Sequence, residues 1–233
     1  MKAAFFLLAL IFSAPSFSMD AKELISKMQK IYNDKSHIEY TCTYELFKGH
    51  KSDVVEESYK GFFYRNKSNV YQKIDETEFV YATDFFIQIS HSEKMISLAQ
   101  PQKLINTTVD LDLALKHCSK TDVEEKEGYY AVTLTIKNNS DLPFSVVKMR
   151  IDKKAYFLER LDVYYSEALD FSQDYNKSDQ ERPHLKITFS EPKQNPKGLN
   201  YFTLDRYFTK SSSGILKLLE KYAGYELLDN RLK

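Results

Sequence analysis

Hydrophobic and polar positions follow two different periods along this chain, and each change of period marks an element. Residues 20–34 carry the helical one: Leu24, Ile25, Met28, Ile31 and Tyr32 fall on a single stripe, and Asp20 with Glu23 forms a capping-box pair. A helix with one buried face is expected there. From Ile38 the pattern alternates strictly. Ile38, Tyr40, Cys42, Tyr44 and Leu46 interleave with Glu39, Thr41, Thr43 and Glu45, which predicts a strand with one apolar face. Residues 49–53 turn the chain, and residues 59–98 then read as a β-meander. Its apolar runs, Phe62-Phe63-Tyr64 and Phe85-Phe86-Ile87, are separated by polar turns at 66–69 and 91–93.

Beyond Pro101, residues 109–117 read as a short helix or a buried loop, with the helix preferred, and 129–137 as a strand ending in the turn 138–141. A hairpin follows, of 146–151 and 158–165 joined by 152–155, and then a strand marked by Leu185, Ile187 and Phe189. Residues 173–183 read as a polar loop, and the run 124–127 as a solvated turn. Near the end, Ser213 is placed to cap a helix carrying Ile215, Leu218, Leu219 and Tyr222, with Gly224 as its stop. These elements sum to about eight to ten antiparallel strands with two or three helices. That is the α+β class: a curved antiparallel β-sheet, or open half-barrel, whose apolar face the helices cover.

Composition refines this picture. Met1-Lys2, the apolar run 3–12 and the small residues before Met19 have the three parts of a secretory leader, so residues 1–18 are expected to be removed. What remains, 19–233, is expected to be a single domain, exported to the periplasm of a Gram-negative type envelope or secreted, with no transmembrane segment. The chain has 33 basic and 33 acidic residues, a balance that argues against nucleic acid as a partner. Seventeen Tyr and 16 Phe fit a sheet with a thick apolar side. In an exported chain Cys42 and Cys118 invite a disulfide, but an apolar strand face equally suits a buried free thiol at Cys42.

Motifs that dictate a reaction are scarce. Ser211-Ser212-Ser213-Gly214 lacks the nucleophile elbow and precedes the expected helix. His37, His50, His91, His117 and His184 show no metal-ligand spacing, so neither a metal nor another cofactor is expected. Asp75, Glu76, Glu78, Asp110 and Asp112 read as turn and surface acids, and adjacent His117 and Cys118 point different ways on any regular element. No catalytic residue is assigned. Grouping of His91, His117 or His184 with acids in a cleft would reopen that question. The apolar faces are the remaining candidates: Tyr40, Tyr44, Phe63, Phe85 and Ile87 line either a packed core or a ligand cleft.

The order of elements, together with Gly61-Phe62-Phe63-Tyr64-Arg65-Asn66-Lys67-Ser68-Asn69-Val70-Tyr71, resembles the periplasmic lipoprotein-carrier (LolA/LolB-like) family over about residues 20–192. The resemblance implies an open barrel with a helical lid that encloses an acyl chain of a lipid or lipoprotein, without catalysis. It also implies a lid contact through Arg65 or Lys67. This chain has Lys67-Ser68 where the family has Arg-Pro, and Ala82-Thr83-Asp84 where the family has an Asp-Gly turn. The helices 20–34 and 109–117 would form the lid. The alternative is an envelope interaction or sensor module with a filled interior, recognising another envelope protein.

Overall fold

A computed structural model describes residues 19–33, 37–102, 109–172, 174, 176–194, 200–211 and 215–231. The expected leader and the capping Ser213 lie outside the described residues. The first helix, α1 (Ala21–Asn33), buries Ala21, Leu24, Ile25 and Met28, four members of the stripe side. Next come β1 (His37–Phe47), β2 (Val55–Asn66), β3 (Asn69–Ile74), β4 (Thr77–Tyr81), β5 (Phe86–Ser90) and β6 (Met95–Ala99), each antiparallel to its neighbour. The second helix, α2 (Leu111–His117), is capped by Asp110, whose Oδ1 accepts the Leu113 N–H at 2.9 Å. Then follow β7 (Cys118–Glu125), β8 (Tyr129–Ile136), β9 (Phe144–Asp152) and β10 (Leu158–Tyr165).

One sheet takes in all ten strands. Its order is Glu226–Asp229, β6, β5, β4, β3, β2, β1, His184–Phe189, β10, β9, β8, β7. The strand Glu226–Asp229 joins β6 in parallel, and the other pairs on this path are antiparallel. Among the described residues the result is an open, curved, mostly antiparallel sheet with two α-helices, the expected class.

Two hydrophobic cores lie on opposite faces of this sheet. Residues directly opposite on paired strands share a face. On the helix face, Val132 pairs with Met149, Met149 with Leu161, Leu161 with Ile187 and Ile187 with Tyr44, an apolar band across the β1–β8 half. It packs against Leu24, Ile25 and Met28 of α1 and Ala114 of α2. On the other face a second band runs Tyr64, Tyr71, Val80, Ile87, Leu98 through successive pairs of the meander. The C-terminal residues Tyr207, Phe208 and Tyr222 cover it. That band ends at β1 because Tyr64 pairs with Glu39, a charged position. The apolar side of the sheet therefore changes face between β1 and the meander.

Two expectations are corrected. No helix forms around Ile215–Tyr222: Leu216–Leu218 is a strand paired with Phe208–Lys210, and Glu220–Tyr222 is a 3₁₀ turn. Leu216 and Leu218 are packed against the meander core while Ile215 is 64% exposed, so packing on the sheet selects alternation over the helical stripe. Gly224, at φ 82°, does stop the turn and sends the chain into Glu226–Asp229. Second, Glu124 and Glu125 belong to β7, and the turn begins only at Lys126. This edge strand carries few apolar residues and is held by its backbone ladder to β8.

Candidate functional site

Among the described residues, α1 and α2 pack on the β1–β8 half of the helix face. Across the meander it continues as a row of directly paired residues, Tyr40, Phe63, Gln72, Phe79, Gln88 and Ser97, and all six are half-buried. Tyr40 lies at the boundary. Its ring stacks on Phe63 at 4.8 Å, and it meets Phe189 edge-on at 6.0 Å and Tyr32 of α1 at 5.8 Å. The Tyr32 hydroxyl accepts the Leu158 N–H at 3.1 Å, which ties the end of α1 to the sheet beside this aromatic group. Burial raises the Tyr32 hydroxyl pKa to about 12 and pushes that of Tyr40 well up, so both rings are neutral. Tyr44 is likewise raised, mainly by burial.

Of the five residues the sequence singles out, Tyr40, Tyr44 and Phe63 come together on this face. Phe85 and Ile87 do not: they lie in the core under the C-terminal segment, with Ile87 0% exposed. They cannot share a cleft with Tyr40, because the sheet lies between. Arg65 is half-buried on the helix face, directly opposite Ile38 of β1 and Val70 of β3, and burial lowers its pKa. Lys67 is off that face, exposed in the β2–β3 turn at φ 57°. The strand ends at Asn66, so the alternation linking Lys67 to Arg65 stops short. Cys42 and Cys118 are free thiols; Cys42 is buried in the helix-side core, and the Cys118 Sγ donates to the Leu115 carbonyl at 3.0 Å.

Sequence reasoning missed Phe79, Gln72 and Gln88. The signal for them is the alternation Thr77, Phe79, Tyr81 on β4, which puts aromatics on the face opposite buried Val80.

Two histidines do pair with acids. His91 bridges Glu78 Oε1 and the Tyr225 hydroxyl, each at 2.8 Å, and so links β4 to the C-terminal cover. His184 Nε2 lies 2.9 Å from Asp162 Oδ1, and its ring is stacked between Tyr164 at 4.4 Å and Phe47 at 5.1 Å. Arg160 closes this cluster with a two-pronged contact to Asp162 at 2.6 and 2.7 Å. The open groove of about 640 Å³ at Lys48, Gly49, His50, Lys51, Gln180, Glu181 and Arg182 includes neither pair. Among the described residues no group of three or more His, Cys, Asp or Glu side chains is arranged to hold a metal ion.

Burial alone would raise the Asp162 pKa, but hydrogen bonds from His184 and Arg160 outweigh it and hold the carboxyl below its usual value. A depressed folded-state pKa stabilises the protein above the ordinary carboxylate pKa, and this contribution is lost as pH falls through the depressed value. Asp162→Asn is therefore expected to cost about 2 kcal/mol at neutral pH. It should also flatten the loss of stability below about pH 4. Urea unfolding across that range checks it; parallel acid limbs in the two proteins would contradict the assignment.

The fold is thus an open curved sheet bearing helices on one face and a strand-rich C-terminal cover on the other. No family model matches the chain, and no curated protein matches it. Solved structures do. An uncharacterized conserved protein from Thermus thermophilus aligns at TM-score 0.45 and 11% identity, over 91% of this chain and 100% of that one. A LolA superfamily protein from Nitrosomonas europaea aligns at TM-score 0.36 and 12% identity, over 81% and 99%. The Pseudomonas aeruginosa MucA/MucB complex aligns at TM-score 0.34 and 8% identity, over 86% and 64%.

Proposed function

We propose that this is an exported, non-catalytic binding protein of the carrier-like type, taking up an acyl chain of a lipid or lipoprotein on the meander half of the helix face. The supporting observation is the half-buried row Tyr40, Phe63, Gln72, Phe79, Gln88 and Ser97, which starts at the edge of α1 and carries the Phe63 and Phe79 rings, part of neither core among the described residues. Each methylene laid on such a surface is worth about 0.8 kcal/mol when fully buried, so a chain of ordinary length suffices for binding. In this reading the leader 1–18 directs export and 19–233 acts as one domain in the periplasm or outside the cell. Among the described residues no helix is long and apolar enough to cross a membrane.

Titration with a fluorescent fatty-acyl probe tests the site. The protein is expected to bind it saturably, and Phe63→Asp to weaken binding at least about tenfold, since a carboxylate on the row must be desolvated by the chain. Phe63 is only partly buried and belongs to neither core, so the variant should stay folded. Equal binding by the two proteins would move the ligand elsewhere. A second reading, recognition of an extended polypeptide from an envelope protein, is favoured by one feature: the Gln72 and Gln88 amides alternate with the aromatic rings and could hydrogen-bond a peptide backbone. Peptide binding without acyl binding selects it.

A further inference from the structure

The N-terminal half of β2 extends past its neighbour. Gly61 through Asn66 pair with β3, whereas residues 55–60 have no strand on that side among the described residues. On the other side all of them but Glu56, which falls at a register shift, remain paired with β1, with Tyr59 opposite Tyr44 and Ser58 opposite Glu45. Lys60 offers its carbonyl to the Asp75 N–H just past the end of β3. Backbone groups on a strand alternate in direction, so Ser58, two residues earlier, aims its N–H and C=O into the same open edge.

Every side chain from Val55 to Lys60 is exposed. Three of the seven large hydrophobic side chains exposed among the described residues, Val54, Val55 and Tyr59, lie on this one stretch. The edge at β7 is different. It is blunted by Lys120, Asp122, Glu124 and Glu125, tied up in ion pairs within the strand or with Lys126 and Lys153.

We propose that residues 54–60 form a docking edge for the same edge of a second copy of this chain, paired antiparallel about Ser58. Charge selects both occupant and register. Acids precede the lysine in Glu56-Glu57-Ser58-Tyr59-Lys60, so antiparallel pairing about Ser58 sets Glu56 of each copy against Lys60 of the other, twice by symmetry. Pairing about Glu57 would put the two Glu57 carboxylates opposite each other. The paired stretch is short, so the association belongs at the weak end of the range.

Sedimentation of the full purified chain over a concentration series tests this. A monomer–dimer equilibrium is expected. Ser58→Pro, which removes the edge N–H and spares the β1 ladder, should abolish it. Glu56→Lys alone should weaken it about tenfold, and Glu56→Lys with Lys60→Glu should restore it. If Ser58→Pro fails to fold, the charge reversals carry the test. A chain that stays monomeric throughout, a dimer indifferent to all three variants, or a double reversal no better than the single one overturns the proposal. An edge that takes up only an added basic peptide overturns it as well.

Discussion

Ile87→Asp is expected to unfold the protein rather than merely block a ligand. Ile87 is 0% exposed, paired between Val80 and Leu98 in the band beneath Tyr207 and Tyr222. Truncation of such a side chain costs about 2–5 kcal/mol, and burying a carboxylate in its place adds the cost of an unpaired charge. A loss of about 5 kcal/mol or more would consume most of the stability of a chain this size. Phe63→Asp, on the half-open face, should cost far less. Measured by urea unfolding, a wide gap between the two variants is predicted; similar stabilities would mean that the two faces of the meander are assigned the wrong way round.

The second large effect is at Gly61. It sits opposite Cys42 on β1, and a Cβ there would overlap the Cys42 Sγ and come within 2.9 Å of Tyr44 Cε2. Both obstructing side chains are packed in or against the helix-side core, so they cannot swing away freely. Gly61→Ala is expected to lose about 3 kcal/mol through overpacking. The cause is steric crowding, as Gly61 is not among the residues with positive φ. Adding Cys42→Ala should recover much of the loss, a coupling readable from a double-mutant cycle. Additive losses would show that the backbone, and not the sulfur, sets the need for glycine.

These two positions also show what was legible in the sequence and what was not. Alternation on β1 and the stripe on α1 located both elements and the sides they bury, because each has a polar opposite face. On β2 the run Phe62-Phe63-Tyr64 is apolar on both faces, and on β5 Phe86 opposes Phe85 and Ile87. Period-two patterning groups Phe85 with Ile87, as the structure does, but cannot say whether that group faces α1 or the C-terminal segment. The answer depends on a long-range fact, that residues 200–211 and 215–231 fold back against the meander. The same fact explains the C-terminal error. Ile215, Leu218, Leu219 and Tyr222 do have helical spacing, yet Leu216 and Leu218 find a partner strand and a core to pack on. Within the site, Tyr40, Tyr44 and Phe63 were legible from one strand pair. Phe79 and the glutamines required the register of three more strands.

An acyl chain is proposed to lie on the meander half of the helix face. Native mass spectrometry of the detergent-free protein, with organic extraction of whatever travels with it, tests this most directly. The expected result is a bound mass that extracts as a phospholipid, fatty acid or acylated species, and that is depleted in Phe63→Asp. A native mass equal to the bare chain, together with no uptake of added fatty-acyl probes, would contradict it.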